Sequence, residues 1–124
     1  MEERRSTGPA TSLAERIERR DATVAVVGMG RVGLPLAVVF ARAGFRVMGI
    51  DSDPIRRQEI ELGKMPFHEP GVEQALLDAV NDGSLTVHED PAEVIPNAQV
   101  IVLCVATPLA ADLRADYGQL RGAL

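Results

Sequence analysis

Tryptophan is absent from the chain, and aromatic residues make up only 3% of it. The core must therefore come from Val, Leu, Ile and Ala, the residues from which buried parallel sheets are usually built. Cysteine is nearly absent too. The lone Cys104 excludes an internal disulfide, and because it lies inside an apolar run, a reducing cytoplasm is the default setting. The two histidines, His68 and His88, have no partners at ligand spacing, so no metal site is expected. Basic charge is in deficit. A net charge of −5 argues against nucleic acid as a partner, which needs a basic face. No apolar run reaches the length of a membrane span, and Met1 to Asp21 mixes Glu and Arg with no apolar h-region, so neither a membrane partner nor a secretory signal is expected.

What is present is ordinary for a globular domain: 124 residues, 46% hydrophobic and 25% charged. That is one domain, short for a cofactor-dependent enzyme. Residues 1–21 read as a polar tail. Residues 1–10, polar with a Gly8-Pro9 breaker, are expected to be disordered, and Ser12-Leu13-Ala14-Glu15 has capping-box spacing that predicts a short helix from Leu13 to Arg20. From residue 22 onward the pattern changes. Thr23 to Val27 predicts a buried strand, Leu34 to Ala43 a helix closed by Gly44, and Arg46 to Ile50 a second strand. Asp53 or Ser52 can cap a helix that starts at Pro54 and runs to about Leu62. A Pro-bounded loop, Lys64 to Pro70, precedes helical spacing from Gly71 to Asn81. A turn at Asp82-Gly83, a strand over Leu85 to Val87, a short helix over Pro91 to Ile95 and an apolar strand over Val100 to Val105 complete the series. Strands alternating with helices predict an α/β, Rossmann-like, doubly wound parallel sheet. It is incomplete, with about four strands against about six in the full fold, so 22–124 reads as a truncated dinucleotide-binding domain.

The chemistry concentrates at Gly28-Met29-Gly30-Arg31-Val32-Gly33. Glycine clusters arise by chance, but this G-x-G-x-x-G follows a strand directly, opens a helix directly, and is followed about 20 residues on by an acid, Asp51, at the end of the second strand. Gly28 permits the tight turn, Gly30 lets backbone approach a pyrophosphate, and Gly33 lets the helix pack on the sheet. Free amides and the helix dipole then face the phosphates. Asp51 accepts from ribose hydroxyls and repels a 2′-phosphate, which favours NAD over NADP. As alternatives, Asp51 is a helix N-cap and Arg31 a solvated loop charge. Of the neighbours Arg56 and Arg57, one is expected to face solvent and the other to meet the adenosine.

The stretch Val24 to Ala37 resembles the opening of the nucleotide-sugar 6-dehydrogenases, the UDP-glucose and UDP-N-acetylmannosamine dehydrogenase family. Gly49-Ile50-Asp51-Ser52-Asp53, the Glu69-Pro70-Gly71 loop, Cys104-Val105-Ala106-Thr107-Pro108-Leu109 and Ala115-Asp116-Tyr117 match that family's motifs in order. The resemblance implies NAD as cofactor and a two-step oxidation of a UDP-sugar C6 alcohol to a carboxylate, with reduction of two NAD, for polysaccharide biosynthesis. It implies that Gly28 to Gly33 cradle the pyrophosphate, that Asp51 and Arg56 hold the adenosine end, and that Ala106, Thr107 and Pro108 lie beside the cofactor. The Asn81 to Leu85 turn and the Arg114-Ala115-Asp116 element resemble the UDP-N-acetylmannosamine branch. The family's catalytic cysteine and its partners belong to later domains, so no catalytic residue is assigned here. Cys104 is read as a small hydrophobe inside the buried fourth strand. A UDP-sugar partner is expected only with a C-terminal domain supplied. The competing expectations are a stand-alone dinucleotide-binding module without activity, and self-association through an open sheet edge.

Overall fold

The computed structural model describes residues 12–105 and 121. The apolar run Thr23–Val27 forms β1, the centre of a four-stranded parallel sheet with β2 (Arg46–Ile50), β3 (Leu85–His88) and β4 (Val100–Leu103) in the order β3-β2-β1-β4. Val27 is level with both Ile50 and Leu103, so three strands end at one rim. The expected α/β Rossmann-like class is thus the observed one, and the reversal of strand order between β1 and β4 sets the place where such sheets bind ligands.

Period-2 alternation splits the core into two layers. Val24 and Val26 face α2 (Gly33–Arg42), α3 (Pro54–Glu61) and α4 (Glu73–Asn81), where Leu34, Ile60 and Leu76 are fully buried. Each such side chain contributes about 1.5–3 kcal/mol relative to exposure. Ala25 and Val27 face the other way, onto Ile50 and onto Val94 of α5 (Pro91–Val94). Helix ends follow local chemistry. Ser12 Oγ accepts from the Glu15 amide to start α1 (Leu13–Glu18), Asp53 caps α3 with Pro54 behind it, and Asp90 caps α5. Gly44, at φ +103°, takes the left-handed conformation after α2. α1 buries nothing. It is tethered through Arg20, whose Nε donates to Ala43 O at 2.8 Å and whose guanidinium lies 5.5 Å from the Phe45 ring.

Three sequence expectations are corrected. β4 stops at Leu103 rather than Val105, so Cys104 lies past the strand and is half-buried. β4 is apolar throughout but not buried throughout: Ile101 and Leu103 are exposed on the α5 side, because α5 is one turn long and does not reach over them. The short helix after β3 ends at Val94, and Ile95–Asn97 tighten into a 3₁₀ turn, since Pro96 withholds the amide an α-helix needs. Among the described residues, no helix is long and apolar enough to cross a membrane.

Candidate functional site

The glycine turn is clamped at the strand rim. Gly28 N donates to Ile50 O at 2.8 Å, and Cys104 N donates to Val27 O at 2.7 Å. Gly28 has φ +96°, and a Cβ there would lie 2.6 Å from Cys104 O, so conformation and space both demand glycine. A Cβ on Gly33 would collide with Gly28 O and stand 3.2 Å from Cys104 Cβ. These two glycines are required by the protein's own packing.

Gly30 is different. Its φ is not left-handed, and among the described residues the one atom near a Cβ there would be Arg56 Nη1, at 3.8 Å. Nothing in the described structure requires glycine at this position, which fits a place kept clear for a ligand. Next to it α2 begins. Among the described residues, the amides of Arg31, Val32 and Gly33 donate to no acceptor, as the first turn of a helix leaves them. Among the described residues no side chain caps α2 either, so its positive dipole end stays open to a ligand there.

Asp51 stands across the mouth of the turn. Its Oδ2 accepts from Met29 N at 3.0 Å and its Oδ1 from Asp53 N at 2.9 Å. A carboxylate has about four acceptor positions, so both oxygens retain one for a sugar hydroxyl. The helix cap is Asp53, not Asp51. Arg56 Nη1 donates to Met29 O at 2.9 Å, which puts its guanidinium over the turn. Arg57 Nη1 donates to Asp51 O at 2.7 Å, and its Nη2 lies 3.6 Å from Glu89. Neither arginine is the solvated charge expected of one of them. Arg57 is a brace between the ends of β2 and β3 that sequence reasoning missed. Met29 has a fully buried side chain lying against Gly49, and its N–H and C=O are both engaged, so it shapes the turn from below.

Gly28 to Gly33, Asp51 and Arg56 therefore converge. Ala106, Thr107 and Pro108 lie outside the described residues. Glu69 and His68 are both exposed, and Glu69 O accepts from Val72 N at 3.2 Å in the turn before α4. Burial pushes the Cys104 thiol up, away from the thiolate that nucleophilic chemistry needs. His88 Nε2 lies 2.9 Å from Thr86 Oγ1. Among the described residues no group of three or more His, Cys, Asp or Glu is placed to hold a metal. A separate polar groove of about 670 Å³, lined by Arg20, Thr23, Gly44, Arg46 and Ser84, opens at the opposite end of the strands, away from the glycine turn.

Residues 22–124 match the NAD-binding domain of the UDP-glucose/GDP-mannose dehydrogenase family. The chain is 39% identical to the UDP-N-acetyl-D-mannosamine dehydrogenase of Methanococcus aeolicus over 89 residues, 72% of this chain and 19% of the relative. It is 37% identical to the UDP-glucose 6-dehydrogenase of Pseudomonas aeruginosa over 95 residues, 77% of this chain and 21% of the relative. The fold superposes on a ternary complex of GDP-mannose dehydrogenase from Pseudomonas aeruginosa with TM-score 0.79 and 28% identity, covering 81% of this chain and 23% of that one. The chain thus spans about a fifth of the length of the curated relatives it matches.

Proposed function

Because the chain belongs to the UDP-glucose/GDP-mannose dehydrogenase family and carries its NAD-binding domain, we propose that residues 22–124 hold the NAD of a nucleotide-sugar 6-dehydrogenase through the turn at Gly28 to Gly33. The observation that carries this is Gly30: a glycine the protein's own packing does not need, beside three amides without acceptors among the described residues, with a carboxylate opposite. In this assignment the amides of Arg31, Val32 and Gly33 donate to the pyrophosphate, and Asp51 accepts from the adenosine ribose. Arg56, fixed on Met29 O, bounds the adenosine side. Met29 and Gly28 set the turn, and Ala106, Thr107 and Pro108 flank the cofactor. Asp51 repels a 2′-phosphate, so NAD is preferred to NADP. When bound, NAD supplies the hydride acceptor.

The reaction we assign to the whole enzyme is oxidation of a nucleotide-sugar C6 alcohol to the carboxylate in the cytoplasm, for polysaccharide synthesis. Relatives named for UDP-N-acetylmannosamine, UDP-glucose and GDP-mannose all match this domain. What they share here is the cofactor site, and choice of sugar falls to other parts of the enzyme. By itself the chain binds NAD without turnover. β4 pairs with β1 along one side among the described residues, and Ile101 and Leu103 are exposed, which supports self-association at that edge. A sharp monomer in light scattering rules that out.

Calorimetric titration with NADH, NAD and NADP tests the main assignment. Binding of the first two and at least about tenfold weaker binding of NADP, a gap of about 1.4 kcal/mol, is expected. A folded sample that gives no heat with any of them refutes it.

A further inference from the structure

The Pro-bounded connection between α3 and α4 has no part in the cofactor assignment, yet it reaches the glycine turn. Phe67 lies in it between Pro66 and Pro70. Met65, Phe67 and Val72 pack against the larger core cluster, so the connection is anchored rather than free. Gly63, at φ +74°, begins it against Leu77 of α4, and Gly71, at φ +82°, ends it. From that anchorage the Phe67 ring meets Arg31, whose guanidinium carbon lies 5.2 Å from the ring centroid. That is within the roughly 6 Å over which a cation is drawn to an aromatic face.

The other two arginines near the turn are committed to backbone carbonyls, Arg56 to Met29 O and Arg57 to Asp51 O. Arg31 has no hydrogen bond or ion pair among the described residues, and Phe67 is its contact. A guanidinium held over a ring keeps its in-plane N–H donors available for an oxyanion. We infer that Phe67 is a positioning residue that holds Arg31 beside the glycine turn as a preset cation for the cofactor's pyrophosphate. This rests on the cofactor assignment above, and it explains why the Pro-bounded connection carries an aromatic face from the core to the turn. The amides at the start of α2 orient the diphosphate, and Arg31 adds charge at its flank. Phe67 restricts the many rotamers Arg31 otherwise samples, so less freedom is lost when the ligand binds.

The test uses the full chain with ADP, NADH and adenosine as probes, measured by calorimetry, on Arg31→Ala, Phe67→Leu and the double variant. Phe67→Leu keeps the apolar contact with the core, and Phe67→Tyr keeps the ring. Arg31→Ala is expected to weaken ADP and NADH about five- to tenfold and to flatten the salt dependence of binding. Phe67→Leu is expected to weaken both about two- to fivefold, to leave adenosine unchanged, and to add nothing on the Arg31→Ala background. Phe67→Tyr is expected to bind as wild type does. A general structural role for Phe67 predicts a loss that includes adenosine and persists without Arg31, and that result overturns the inference. So does unchanged ADP affinity in Phe67→Leu. Should Phe67→Leu not fold, Arg31→Ala decides: unaltered ADP affinity and salt dependence overturn the inference, and losses of the stated size uphold it together with wild-type binding by Phe67→Tyr. Wild-type protein that binds neither ADP nor NADH refutes the cofactor site itself, which separates that failure from this one.

Discussion

Replacing Gly30 and Gly33 in turn by alanine separates a glycine kept for a ligand from one kept for packing. At Gly33 the added methyl meets Gly28 O and Cys104 Cβ, the first a backbone atom and neither able to swing aside. The start of α2 must lift off the sheet. Overpacking costs about 1–3 kcal/mol, and a backbone collision belongs at the upper end. Alanine recovers about 1 kcal/mol of helix propensity. The net loss is about 2 kcal/mol, a lowering of Tm by about 8–16 °C in a domain of this size. At Gly30 the methyl meets, among the described residues, only Arg56 Nη1 at 3.8 Å, an ordinary contact, and φ is one that alanine accepts. Loss of unfolded-chain freedom then stabilises by about 0.4–1 kcal/mol, so Tm rises by a few degrees. NADH affinity goes the other way. Gly30→Ala places a methyl where the diphosphate must approach, and at least a tenfold loss, about 1.4 kcal/mol, is expected. Circular dichroism melts and NADH fluorescence titration read both quantities. A stable Gly30→Ala protein that binds NADH within about twofold of wild type refutes the placement of the ligand against residue 30. A Gly33→Ala protein that melts with the wild type refutes the packing argument.

Asp51→Asn keeps one acceptor for the Met29 amide but loses the charge facing the ribose, so NADH weakens about tenfold and the gap to NADP narrows in calorimetry. Gly83→Ala forces a methyl residue to φ +82° with no atom of the described residues within 4 Å of it. It costs about 1–2 kcal/mol in a urea melt and leaves NADH affinity unchanged, because the turn is remote from the site. Burial raises the Cys104 thiol, so a disulfide reagent reacts with native protein more slowly than with the unfolded chain at pH 8. The same shift means the native state holds its proton longer. Stability is intact below the ordinary thiol pKa and declines as pH rises above it toward the raised value, a slope that Cys104→Ala removes in urea melts between pH 7 and 10.

Much of the scaffold was legible because its punctuation is local. β1 and β2 carry the predicted bounds, since β-branched runs end at glycines and at Asp51, and Gly44 closes α2 by the conformation only glycine takes easily. The end of β4 was not legible. Cys104 and Val105 are as apolar as the strand before them, but their apolarity serves packing around the glycine turn and under α5. Nor does a continuous apolar run say how many faces are covered, so the exposure of Ile101 and Leu103 could not be read. At the site, position was legible and partnership was not. Asp51 stands where the spacing put it, but its bonds to the amides of Met29 and Asp53 depend on how the turn folds back over the strand rim. Adjacent arginines on a helix do not share a face, so one was expected in solvent. α3 lies over the strand ends, and both reach a carbonyl. The meeting of Phe67 with Arg31 joins two loops that only the tertiary fold brings together.

Uniformly ¹⁵N-labelled protein titrated with NADH puts the placement of the pyrophosphate to its sharpest check. The amide resonances of Gly30, Arg31, Val32 and Gly33 should move first and furthest and saturate together, with Asp51 following. If those resonances stay still while the amides around Arg20, Thr23 and Arg46 at the opposite end of the strands respond, the dinucleotide binds elsewhere and the glycine turn is only a fold element.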